Sequence, residues 1–144
     1  MKVNELMIGD WVQYGDIHPI KTRALGISSV DKGKHWHIEV EPENANSMRI
    51  VAIHAVEPIP LTAEILEKNG FVKYYGVSDT PPYDKDEEGN MYYSFKGEHK
   101  FWGWWQPDNT YYIPANAMGD IVIKYLHELQ HALRLAGIDI TIEL

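Results

Sequence analysis

The chain has 144 residues, 44% hydrophobic and 24% charged, with no cysteine and a formal charge of -8. Those values fit a globular protein with one respectable core or two small ones, and they exclude disulfides, thiolate nucleophiles and cysteine-based zinc sites. The acid excess argues against unaided binding to nucleic acid, whose affinity rests on phosphate contacts, and makes a basic protein or peptide the easier partner.

In chain order, Met1 to Glu5 lack the apolar core of a signal peptide, and no later stretch is apolar for long enough to span a bilayer, so a cytoplasmic protein without membrane contact is expected. Short strands are expected at Asp10–Tyr14, Thr22–Val30, His35–Val40 and Met48–Val56, with turns at Gly15-Asp16, Asp31–Lys34 and Glu43–Asn46. That pattern over residues 1–58 suggests a small SH3-like β-barrel or rolled sheet. The connector Glu57-Pro58-Ile59-Pro60 is stiff and extended, because each proline fixes its own φ and biases its predecessor away from helix. A helix over 62–69 follows: Thr62 is a good N-cap, Glu64 suits the positive end of the dipole, and Gly70 can close the helix in αL.

Residues 71–113 read as an antiparallel sheet with strands at Phe71–Val77, Met91–Phe95, Lys100–Trp105 and Tyr111–Ile113. An acidic loop, a Lys96–His99 turn and a Pro107–Thr110 turn would join them. A long helix over 117–136 is predicted next, with Val122, Tyr125, Leu126, Leu129, Ala132, Leu133 and Ala136 on one stripe and Gly137 as its stop. Ile140, Ile142 and Leu144 then alternate as a short final strand over 140–144. The class is therefore α+β, with a second region over 59–144.

Most of the five Trp, nine Tyr and three Phe fall between Phe71 and Tyr112. Neighbours along a strand alternate, so Trp102 and Trp104 share one side and Trp105 takes the other. With one face in the core, the second either packs on the N-terminal region or forms an aromatic surface for a ligand or another subunit. The candidate binding residues are Trp102, Trp104, Trp105, Tyr92 and Tyr111.

His127-Glu128-Leu129-Gln130-His131 matches the H-E-x-x-H zinc-protease pattern, in which two histidines one turn apart hold the metal and the glutamate acts as base. A catalytic zinc needs a third protein ligand, and the usual extended pattern would place it at Gly137. The wheel also turns His127 and His131 away from the apolar stripe, beside Lys124 and Arg134, whose charge opposes a cation. A solvated histidine pair is the simpler reading, and a minimal zinc peptidase is the alternative.

Asp84-Lys85-Asp86-Glu87-Glu88-Gly89 opens like an EF-hand loop, but the twelfth place is Phe95 where a bidentate Glu is required, so a solvated acidic loop is expected. His35, His37 and His54 lie in β-type sequence without a third ligand. No phosphate loop, nucleophile elbow or paired-carboxylate arrangement is present, and no cofactor is expected.

Three blocks resemble a family of short proteins carried by phages and mobile elements of gut bacteria: Met1 to Val12, Val56 to Phe71, and Tyr125 to Gln130. In that family the last helix commonly reads His-Gln-Leu-Gln-Asn where this chain has His127 to His131. The resemblance implies no established activity, and it implies that His127, Leu129 and Gln130 belong to a motif for packing or partner contact. The leading expectation is a non-enzymatic accessory module that binds another protein, with a homo-oligomeric structural or assembly protein as a further alternative.

Overall fold

The computed structural model describes residues 2–29, 31–41, 49–73, 91–96, 102–106, 108, 110–114 and 120–144, with the backbone alone at 3, 102 and 104. The expected acidic loop at 84–89, and the Lys96–His99 turn beyond Lys96, lie outside these residues. The fold is mixed α+β, mostly strands with two α-helices among the described residues. The chain divides into two units, Met1–Ile59 with Tyr125–Gln130, and Pro60–Lys124 with His131–Leu144.

In the first unit, β1 (Trp11–Tyr14), β2 (Ile20–Ser29), β3 (Trp36–Val40), β4 (Arg49–Ala52) and β5 (Val56–Pro58) form one antiparallel sheet in the order β4-β3-β2-β1-β5. β2 is long enough to serve two ladders: Ile20–Arg23 pair with β1, and Ala24–Ser29 pair with β3. The register shifts between Ala24 and Gly26, and a Cβ added at Gly26 would lie 2.8 Å from Glu39 Oε2, so a larger residue at this bulge would displace the end of the Glu39 side chain. Alternation turns Val12, Ala24, Ile38, Val40 and Val56 inward, and with Leu6 they form a hydrophobic core flanked by Tyr14, Ile27, Val51 and Ile53.

Two expectations for this unit change. Met48–Val56 is not one strand, because a 3₁₀ turn at Ile53–Ala55 separates β4 from β5. The turn, Ile53-His54-Ala55, contains no Gly or Pro, so no strong breaker in the local sequence marks it. The sheet is also not a closed barrel: among the described residues no ladder joins β4 to β5.

In the second unit, α1 (Ala63–Lys68) starts as expected, with Thr62 Oγ1 accepting from Ile65 N at 3.2 Å, and Gly70 at φ +83° follows its end. β6 (Phe71–Lys73), β7 (Met91–Phe95), β8 (Trp102–Trp105), β9 (Tyr111–Pro114) and β10 (Asp120–Ile123) make an antiparallel meander in the order β10-β9-β8-β7-β6. One face carries the core: Phe71, Tyr93, Phe95, Trp105, Tyr111, Ile113 and Ile123 are buried. Phe71 meets Phe95 and Tyr111 edge-on, at ring separations of 5.4 and 6.1 Å. Tyr111 lies over Gly103, and its hydroxyl donates to Tyr93 O at 3.3 Å. Burial, with Tyr93 beside it, pushes the Tyr111 phenol well above its ordinary pKa, so it stays a neutral donor.

The predicted 117–136 helix is shorter. Asp120–Ile123 is strand β10, and α2 spans Leu126–Leu135. Ile121, Val122 and Ile123 are three β-branched residues in succession, stiff at χ1 and suited to a pleated strand, and the helical phase of Val122 was a coincidence of spacing. α2 ends in a Schellman motif, with Gly137 at φ +72°, Ile138 N on Leu133 O at 2.9 Å and Gly137 N on Arg134 O at 3.0 Å. The expected strand over 140–144 is not one. Ile142 is buried, but the neighbouring backbone is held by a side chain: Glu143 N donates to Asn69 Oδ1, and Asn69 Nδ2 donates to Glu143 O, both at 2.8 Å.

Gly103 is the tightest point of the second sheet, since a Cβ there would fall 2.1 Å from Tyr112 O and 2.7 Å from Tyr111 Cζ. Gly103→Ala is therefore expected to cost about 2–4 kcal/mol by forcing β8 and β9 apart, read as a lower urea midpoint. A midpoint equal to wild type would show that the β8–β9 contact is not as close as described.

Candidate functional site

The H-E-x-x-H stretch occupies the start of α2, and four consecutive side chains there are committed to structure. The chain enters the helix extended, with Leu126 N donating to Ile59 O at 2.9 Å. Glu128 Oε2 accepts from Tyr125 N at 3.0 Å, which is the reach-back half of a capping box, with glutamate at the third helical position. The carboxylate that a peptidase would use as base thus satisfies a backbone donor that the helix start leaves without an intrahelical partner. Leu129 is fully buried.

His127 is only 5% exposed, and its ring stacks on Tyr125 at 5.9 Å with an interplanar angle of 15°. This corrects the expectation of a solvated histidine pair. The helical wheel assumed one apolar stripe running from Val122, whereas the helix begins at Leu126 and its first turn is enclosed on more than one side. His131 is half-buried, and only towards the end of the helix, at Arg134 and Leu135, do side chains reach full exposure. Among the described residues no three or more His, Asp or Glu side chains come together in a way that could hold a metal ion.

Gln130 is the residue that sequence reasoning undervalued. Its Oε1 accepts from Trp11 N at 2.9 Å, and its Nε2 donates to Gly9 O at 3.1 Å. The β1–β5 ladder pairs Val12 with Pro58, so its register would next set Ile59 opposite Trp11. Ile59 gives its carbonyl to Leu126 instead. The Gln130 amide, one donor and one acceptor in one plane, takes the place that β5 vacates. On the other side of the same turn, Gly9 N donates to Ala24 O at 2.7 Å, and Asp10 Oδ2 accepts from Met7 N at 2.7 Å. The Met1–Val12 and Tyr125–Gln130 blocks therefore meet through hydrogen bonds. The signal available in the sequence was a glutamine beside the apolar stripe.

His35, His37 and His54 lie in the first unit. His35 precedes β3, where its backbone N donates to Asp31 Oδ1 at 2.6 Å and its Nδ1 pairs with Asp31 Oδ2. Desolvation raises the Asp31 carboxyl, but the His35 hydrogen bonds and charge outweigh it and leave the pKa below its usual value. His37 is half-buried in β3, and His54 is exposed in the 3₁₀ turn.

The second candidate is the aromatic sheet. Trp105 and Tyr111, both proposed for a binding surface, are core residues at 4% and 0% exposure. On the opposite side, the register aligns Tyr92 with Trp104, Trp104 with Tyr112, and Tyr112 with Val122, a single row across β7, β8, β9 and β10. Tyr92 and Val122 at its two ends are exposed, and Tyr112 is half-buried. In the adjacent row Ser94 pairs with both Val72 and Trp102; Ser94 is buried and Val72 is exposed.

No protein-family model, curated protein or solved structure matches this chain.

The cap and the base make different demands on residue 128. Glu128→Gln keeps the oxygen that accepts from Tyr125 N and should leave stability within about 0.5 kcal/mol of wild type, whereas Glu128→Ala should lose about 1 kcal/mol. Urea unfolding of the two variants checks this. Equal losses in both would remove the capping role.

Proposed function

We propose that this protein is a non-enzymatic binding module that receives a segment of another protein on the outer face of its second sheet. The observation that carries the reading is the cross-strand row of Tyr92, Trp104, Tyr112 and Val122, with exposed apolar surface at both ends and the core on the opposite face. Aromatic rings offer large contact area at little conformational cost and can stack on cations, and the chain's charge of -8 favours a basic partner segment. The role of Glu128 as a helix cap and the burial of the His127 ring support the non-enzymatic reading over a peptidase.

In the same reading the first unit is an SH3-like scaffold. Its strand order, its long bulged β2 shared by two ladders and its 3₁₀ turn just before β5 support that assignment. No helix among the described residues is long and apolar enough to cross a membrane. The reading places the protein in a cytoplasm, as an accessory factor of a phage or mobile element.

Selection of displayed random peptides against the intact protein tests the reading. Peptides rich in Lys or Arg and apolar residues are expected, and Tyr92→Ala and Val122→Asp should each weaken their binding by roughly tenfold, about 1.4 kcal/mol, with unchanged melting temperature. Acidic selected peptides, or binding unaffected by both substitutions, would contradict it.

A further inference from the structure

Asn69-Gly70 is the one Asn-Gly pair in the sequence, and the fold makes separate demands on both of its members. Gly70 closes α1 at φ +83°, a conformation that disfavours any residue with a side chain. Asn69 must be an amide. Its Nδ2 donates to Ile65 O and to Glu143 O, each at 2.8 Å, and its Oδ1 accepts from Glu143 N at 2.8 Å. Asn-Gly is also the least durable dipeptide of the polypeptide chain, because no side chain on the second residue hinders attack by its nitrogen on the amide carbon before it.

We infer that Asn69 is a deamidation site whose conversion permanently unclamps, and so loosens, the Ile138–Leu144 segment. The reaction needs only water. The deprotonated Gly70 nitrogen bonds to Asn69 Cγ, the Cγ–Nδ2 bond breaks and ammonia leaves, and water opens the resulting succinimide to aspartate or isoaspartate. In the folded protein the step is held back twice. The Gly70 N–H is donated to Glu67 O at 3.2 Å, and the Asn69 side chain, 9% exposed, is fixed by its three hydrogen bonds. Reaction therefore proceeds from molecules in which this corner has opened.

The product cannot close again in the same way. An aspartate at 69 keeps an acceptor for Glu143 N but replaces the donor with a charged oxygen facing the carbonyls of Ile65 and Glu143. An isoaspartate also lengthens the backbone at the helix end. Either way Glu143 loses the amide clamp on its N–H and carbonyl, beside the buried Ile142, while the bonds of Ile138 N to Leu133 O and of Lys68 Nζ to Leu144 O remain at the two ends of the segment. Conversion is one-way, so the fraction of molecules with a loosened segment records how long and how often this corner has been open.

The test is to age the intact chain in mildly alkaline buffer, with and without unfolding urea, and to follow amide-to-acid conversion at every asparagine by peptide mapping. Conversion at 69 is expected to exceed that at the other asparagines in urea and to be slower by roughly tenfold or more in the folded protein. Converted folded molecules, and Asn69→Asp made directly, should show fast hydrogen exchange selectively at 138–144. Equal rates at 69 in folded and unfolded chains, or converted molecules with wild-type exchange over 138–144, would overturn the inference. If Asn69→Asp fails to fold, the converted wild-type molecules still decide the matter.

Discussion

The first unit depends on one planar amide. β5 stops pairing with β1 at Pro58, a residue without an N–H, and the next carbonyl, that of Ile59, goes to Leu126. Left alone, the part-buried Trp11 N–H and Gly9 carbonyl would lose their protein partners, at a cost on the order of 1 kcal/mol each. Gln130 supplies both partners from a helix more than a hundred residues later in the chain. A glutamate could not do so, since it has no donor for Gly9, and an asparagine is one methylene shorter.

The second unit uses the same device at another place. Asn69 clamps the backbone of Glu143 on both its N–H and its carbonyl, as Gln130 clamps Trp11 and Gly9. In both cases an amide side chain stands in for a strand where no strand is available to pair. It meets the rule that buried backbone polar groups find partners, without the length or flatness that a further strand would need. Where the substitute amide precedes a glycine, as at Asn69, the solution carries a chemical lifetime.

This device also explains where the sequence was legible. Strands with alternation and turn punctuation, such as Trp36–Val40, and the capped helix Ala63–Lys68 stand close to their expected places, because local propensity and burial agree there. The 140–144 segment alternates like a strand but is fixed by a side chain seventy-four positions away, and no local pattern reports that. Ile121-Val122-Ile123 satisfied a helical period while its β-branching favoured the sheet. The outer aromatic row was half visible: alternation separated Trp105 from Trp104, but only the register sets Tyr92, Tyr112 and Val122 in line. H-E-x-x-H was the most conspicuous string and the least informative one. Its glutamate, its first histidine and its leucine meet local demands of capping and burial, and Gln130 within it answers a demand that lies outside the helix.

The most direct test of this account is hydrogen exchange at the Trp11 amide, followed by NMR in the wild type and in Gln130→Ala. The clamp predicts that Trp11 in the wild type exchanges as slowly as Val12 within the ladder. The substitution should speed exchange at Trp11 by roughly tenfold or more beyond any change at Tyr14, in line with a lost hydrogen bond of about 1–2 kcal/mol. A Trp11 amide that already exchanges freely in the wild type, or one that slows and quickens only in step with the rest of β1, would mean that Gln130 does not hold the edge of the sheet.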